Sequence, residues 1–204
     1  MPGKESPRTD GRNLRSAKTR RAVAQAYLDL AHDGVLRPTA RAVAERAHVS
    51  ERAVFRHFRD LETLMAEAAR LQIERVGKAV PQPAPAEGPL QTRLESFTGR
   101  WTELNERVTP VRRAALLYEP FSEEVARRLG WIRGIRRQEI ERMFTAELSP
   151  LQVEHRREIV AALSAASSWA TWNELRTRHD LDMVAARRTV TRSLTALLTY
   201  LGAP

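Results

Sequence analysis

Residues 39–58, TARAVAERAHVSERAVFRHF, constrain the fold more than any other stretch of this chain. They read as two short helices joined by a tight corner. Thr39 is an N-cap, and Val43, Ala44 and Ala47 form the apolar stripe of the first helix. The corner is Ala47-His48-Val49. Ser50 caps the second helix, where Val54 and Phe58 stand four residues apart on one buried face. Arg52, Ala53, Phe55, Arg56 and His57 are left to point away from the core. This pattern describes a helix-turn-helix, whose second helix is narrow enough to enter the major groove of DNA. An ordinary antiparallel helix pair is the competing reading of these twenty residues alone.

The flanks sharpen it. Upstream, Ala22, Val23, Ala26, Leu30 and Ala31 recur at helical spacing, and Gly34 is placed to stop that helix in a left-handed conformation. Downstream, Asp60 can cap a fourth helix carrying Leu61, Leu64 and Met65. With these in view, the first 65 or so residues resemble the N-terminal domain of the tetracycline-repressor (TetR) family. The resemblance is carried by Ala26, Leu30, Gly34, Thr39, Val43, Ala44, Ala47, Val49, Ser50, Val54, Phe55, His57, Phe58 and Leu64, in register without a gap. Three positions depart from it. His48 stands where the family usually has glycine, Phe55 where it usually has tyrosine, and Leu61 where a lysine often begins the fourth helix. Two backbone contacts of the family are thereby weakened, and Arg52, Arg56 and Arg59 can replace their charge but not their geometry.

Charge agrees with a nucleic-acid partner. Of a formal net charge of +9, residues 1–60 hold 13 Lys and Arg against seven Asp and Glu. Phosphate neutralisation supplies much of DNA affinity, and a basic arm can add contacts or reach a minor groove. Residues 1–14 are expected to be a flexible basic arm, with contacts to DNA beginning around Arg12 and including Arg15 and Lys18. Residues 15–60 then form the helix-turn-helix domain. Its expected DNA-binding set is Arg15, Lys18, Thr39, Ser50, Arg52, Ala53, Phe55, Arg56, His57 and Arg59.

Residues 61–204 are expected to form a helical ligand-binding and dimerisation domain, so the fold class is all-α. Pro81–Pro89 marks a loop. Leu90, Leu94, Phe97, Trp101, Leu104 and Val108 describe one amphipathic helix, and Pro110 is placed to open a short one reaching Tyr118. Ser122 with Glu123 and Glu124 opens a long helix. Ser149-Pro150 is expected to start another, running to about Arg178, and Asp180 to cap the last, whose apolar side reaches Leu201. The run from Ala161 to Trp169 is apolar or small nearly all round, so a second helix can approach it closely. The resemblance implies that the last two helices pair across a two-fold dimer, matching a palindromic operator with two half-sites. It also implies a small-molecule effector in a pocket between the middle helices. Phe97, Trp101, Tyr118, Phe121, Trp131, Met143, Phe144 and Trp172 are the candidate lining, although aromatic and methionine side chains at helical spacing more often fill a core. The cluster Arg127, Arg128, Arg133, Arg136 and Arg137 reads either as an anion site or as a solvated face.

Other function classes find little support. There is no cysteine, and the five histidines form no close metal-ligand pair. A glycine-rich phosphate loop and a GxSxG elbow are missing, so no enzyme, metal or cofactor is expected. No apolar run spans a membrane and no apolar stretch follows the basic N-terminus, which points to a cytoplasmic protein. The expectation is a sequence-specific, homodimeric transcriptional repressor released by an effector. A ligand-activated or ligand-independent regulator of the same fold, or a helical adaptor for acidic proteins, is the alternative.

Overall fold

The computed structural model describes residues 7–79 and 86–200, and every regular element among them is helical. The first six residues of the expected arm, the Pro81–Pro85 part of the expected loop, and Leu201 lie outside the described residues. The chain groups into two compact units. One comprises residues as far as Arg75 together with Pro110–Val125, and the other comprises Val76–Thr109 and Ala126 onward.

The first unit is built on α1 (Pro7–His32), α2 (Ala40–Ala47), α3 (Glu51–His57) and the start of α4 (Leu61–Ala79). Residues 7–14, expected as a flexible arm, are instead the opening turns of α1, which is about 39 Å long at 1.5 Å per residue. Its buried stripe begins only at Val23 and continues through Ala24, Ala26, Tyr27, Leu28, Leu30 and Ala31; Asn13–Lys18 are exposed. The helix stops as the sequence predicts. Gly34 has φ +88°, its N–H donates to Ala31 O, and Val35 N–H donates to Leu30 O at 2.9 Å, closing the last turn. Val43, Ala44, Val54, Phe58, Leu64 and Met65 complete the core of this unit. Tyr27 is fully buried there, and burial, then the neighbouring Tyr118, push its phenol well above the ordinary value.

The second unit contains most of α5 (Leu90–Leu116) and α6 (Glu123–Met143), a single turn α7 (Thr145–Leu148), and α8 (Val153–Ala166), α9 (Trp169–Thr177) and α10 (Met183–Thr199). Several boundaries differ from the sequence reading. Pro110 does not open a new helix but lies inside α5. Thr109 Oγ1 donates back to Asn105 O at 2.7 Å there, whereas the carbonyl that loses its helical N–H donor to the proline is that of Glu106. Ser149-Pro150 do not start the next helix; α8 begins at Val153, two residues beyond Leu151, whose N–H is still tied to Leu148 O.

The expected long helix to Arg178 is broken at Ser167-Ser168. Ser167 Oγ donates back to Leu163 O at 2.7 Å, while Ser168 Oγ accepts from Thr171 N–H and caps α9. Partners from α5 hold the break in place. Asn105 Nδ2 donates to Ser167 O, Trp169 Nε1 donates to Thr109 Oγ1, and Trp172 Nε1 donates to Glu106 Oε2. Finally, Asp182 caps α10 by accepting from Ala185 N–H at 2.7 Å. Asp180, the expected cap, sits instead at φ +49° two residues earlier, in the left-handed region that aspartate tolerates.

The core of this unit joins Leu94, Phe97 and Trp101 of α5 to Ile140, Met143 and Phe144, to Val160 and Leu163 of α8, to Trp172 of α9, and to Val190, Leu194 and Leu198 of α10. Phe97 lies edge-on to Phe144 at 5.5 Å and tilted against Trp101 at 6.2 Å. A polar clasp closes one end. Arg93 Nε donates to Gly88 O, Nη1 to Met143 O, and both terminal nitrogens to the Glu147 carboxylate, with Arg93 only 6% exposed.

Candidate nucleic-acid interface

Two side-chain caps and one strained residue set the geometry of α2 and α3. Thr39 Oγ1 accepts from Ala42 N–H at 3.1 Å, and Ser50 Oγ accepts from Ala53 N–H at 3.1 Å. Between the helices His48 adopts φ +54°, ψ +44°, as its glycine-like position demands, and its N–H reaches the Ala44 and Glu45 carbonyls. Such a conformation costs a non-glycine residue about 1 kcal/mol. The chain retains it because Val49 N–H then closes on Ala44 O at 3.0 Å and turns α3 across α2.

α3 is held from below. Val54 and Phe58 are buried, and Arg20 of α1 clamps the C-terminal end of α3. Its Nη1 donates to His57 O at 2.6 Å, and its guanidinium lies 4.3 Å from the centre of the Phe58 ring. The sequence reading had not singled out Arg20. Its signal is faint, being one arginine among several on α1, and only its contact with α3 separates it from the others.

The outward face of α3 carries Arg52, Phe55 and Arg56, all exposed, with Phe55 at 49%. Arg52 and Arg56 are one turn apart, so both can reach the same groove. His57 is half-buried. Burial, then Arg56 and Arg20, hold its imidazole below its ordinary value, so it is neutral at pH 7. Ala53 departs from expectation: at 7% exposure its methyl packs inward beside Val54, because positions 53, 54, 57 and 58 form the inner face of so short a helix. Thr39 and Ser50 are exposed at the start of α2 and α3, and their oxygens accept the capping bonds while their hydroxyl protons remain available. Arg59, largely solvent-exposed, pairs with Asp60 at 2.9 Å. Asp60 in turn accepts from the Thr63 hydroxyl and backbone N–H, which with Arg59 hold its carboxyl at about 2. Arg15 and Lys18 are exposed on α1, where Arg15 Nε donates to Gly11 O. The face as a whole is an exposed cationic helix on a rigid three-helix base.

Residues 30–68 match the model of the bacterial regulatory proteins of the tetR family, a span that takes in α2, α3 and the start of α4. Over this span the chain is similar to that family. The chain as a whole has the fold of solved transcriptional regulators. A transcriptional regulator from Rhodococcus sp. Rha1 superposes with a TM-score of 0.70 at 16% identity, over 88% of this chain and 96% of that one. A protein from Mesorhizobium loti, assigned to the TetR-family transcriptional regulators, gives 0.53 at 18% identity, over 91% and 97%. No curated protein sequence is significantly similar to the chain. Within the matched span, Phe55 presents a bare ring on the outward face of α3, and Leu61 opens α4 half-buried and uncharged.

Of the eight residues expected to line an effector pocket, five share one core. Phe97, Trp101, Met143, Phe144 and Trp172 are each at most 2% exposed and packed into one core. Tyr118 belongs to the first unit, beside Tyr27. Phe121 and Trp131 are corrections to the sequence reading: they are 81% and 58% exposed, one in the turn before α6 and the other on its outer face. Apolar character alone could not separate those two from the packed five.

Proposed function

We propose that this DNA-binding regulator is a homodimeric repressor that recognises a palindromic operator and is released by a small-molecule effector. The observation that carries this reading is the outward pair Arg52 and Arg56 on a capped recognition helix fixed to α1 by Arg20. Arginine is the commonest donor to the guanine edge in the major groove. Dimerisation draws support from the surface of the last helices. Ala161 and Ala165 on α8, and Met183, Val184 and Tyr200 on or beside α10, are exposed and offer small or apolar surface for a second copy. Two half-sites one or more DNA turns apart need such a pair. Release requires only that the effector bind the DNA-incompetent state more tightly.

The test is footprinting and fluorescence anisotropy on DNA upstream of the protein's own gene. A two-fold symmetric footprint is expected, and Arg56→Ala should weaken specific binding by about 1–3 kcal/mol and relax the sequence preference. Equal losses on operator and random DNA would reduce Arg56 to a phosphate contact, and a footprint without symmetry would remove the dimer.

A further inference from the structure

The outward face of α3 holds one side chain that phosphate attraction does not explain. Glu51, Arg52, Phe55 and Arg56 are the exposed residues of this helix, and Phe55 is the only apolar one. Ala53 and Val54 are turned into the core, so no methyl group is offered outward beside the ring. Phe58, three residues on, is 1% exposed and lies under the Arg20 guanidinium. Phe55 is 49% exposed, and among the described residues neither a second ring nor a guanidinium stacks on it. Apolar area left in water is available to a partner.

The cations beside the ring are also uncommitted. In the same unit Arg41, Arg46 and Arg59 each meet a carboxylate, on Glu45, Asp33 and Asp60, and Arg20 is tied to His57 O. Among the described residues Arg52 and Arg56 form no ion pair or hydrogen bond. At a rise of 1.5 Å per residue, Phe55 stands about 4.5 Å along the helix axis from Arg52 and about 1.5 Å from Arg56. Successive bases on a DNA strand are about 3.4 Å apart. A helix lying in the groove therefore sets the ring against a base one or two steps from any guanine that these arginines hold.

We propose that Phe55 reads the C5-methyl group of a thymine in the operator, one or two base pairs from a guanine held by Arg52 or Arg56. The proposal rests on the reading of the protein as a DNA-binding regulator and names a base that this helix selects. In the major groove the thymine methyl is the one apolar group on a base edge, and phenylalanine is among the side chains suited to it. The ring has no donor for a phosphate oxygen and no polar atom for the other base edges. An apolar protein surface is the competing occupant, but two arginines without carboxylate partners beside the ring suit a polyanion better.

The full-length protein is used to select from a pool of DNA duplexes with a randomised central segment, and the enriched duplex is titrated by fluorescence anisotropy. Each of its thymines is then replaced in turn by deoxyuridine, which differs only in lacking the C5-methyl group. At the thymine under Phe55 the replacement should weaken binding about fourfold, the loss expected for one methyl group no longer covered. Phe55→Ala should bind the thymine and deoxyuridine duplexes equally, and Phe55→Leu, also apolar, should keep part of the preference. Circular dichroism checks that both variants retain the helix content of the wild type; if the alanine variant does not, Phe55→Ser takes its place in the same comparison. An enriched duplex in which no deoxyuridine weakens binding, or a thymine preference that survives in Phe55→Ala, would overturn the role of Phe55 and leave the DNA-binding reading standing. A pool that yields no enriched sequence would overturn that reading, and the thymine contact with it.

Discussion

Replacing Arg93 by methionine should cost the second unit about 3–4 kcal/mol. The guanidinium makes four hydrogen bonds, to Gly88 O at 3.0 Å, to Met143 O at 2.6 Å, and to the two Glu147 oxygens at 2.9 and 2.5 Å. Removing one partner of a buried pair costs about 3–5 kcal/mol, because the other charge is left stranded. Glu147 is 17% exposed and recovers some water, which favours the lower end of that range.

All four tryptophans lie in the second unit, so urea unfolding followed by tryptophan fluorescence reads this unit alone. The double variant Arg93→Met/Glu147→Met should regain much of the loss, since no carboxylate is then left unpaired. The acid limb gives an independent check. The Arg93 hydrogen bond holds Glu147 below its ordinary value of 4.5, so the pair's stabilisation is complete above that value and is lost as pH falls through the lower, folded one. Wild type should therefore lose part of its stability below about pH 4.5, and Arg93→Met should lose less there. A loss under 1 kcal/mol, or an unchanged acid limb, would show that the clasp is a surface pair.

Three further outcomes follow from particular residues. His48→Gly relieves a left-handed backbone and should raise stability by about 1 kcal/mol in thermal unfolding; destabilisation would mean the imidazole makes a contact that outweighs the strain. Asp60→Ala removes the α4 cap and should cost about 1 kcal/mol. Because Asp60 is held at about 2, the cap's contribution is present above the ordinary 3.8 and fades as pH falls through 2, so wild type and variant should converge in that acid range. Ala196→Glu on the exposed face of α10 should leave the monomer folded but give monomers in sedimentation, with loss of operator affinity; a dimeric variant would move the interface off α10.

The geometry of the α2–α3 pair was legible because its determinants are local. Thr39, Ser50, Gly34 and the Val54–Phe58 spacing act within one or two turns, so their meaning survives without the rest of the molecule. The second unit was harder to read. Ser149-Pro150 and Asp180 are good helix starts by residue type, yet the chain starts its helices at Val153 and Met183. A run without Gly or Pro from Val153 to Arg178 reads as one helix. It breaks because Asn105, Thr109 and Glu106, 60 to 66 residues earlier in the sequence, supply partners at that point.

By itself, the sequence determined the all-helical class, the capped corner at His48, the cationic outer face of α3 and the likeness to a known family of regulators. These depend on capping, periodicity and charge, which are carried by neighbouring residues. Only the tertiary structure decided that Ala53 packs inward, that Arg20 clamps α3, and that Phe121 and Trp131 meet solvent while Phe97 and Trp172 do not. It also separated Arg136, buried beside Trp101, from arginines of the same run that remain in water. Burial is set by which helices pack together, and side chains of one chemical type are alike until that packing gives each its own surroundings.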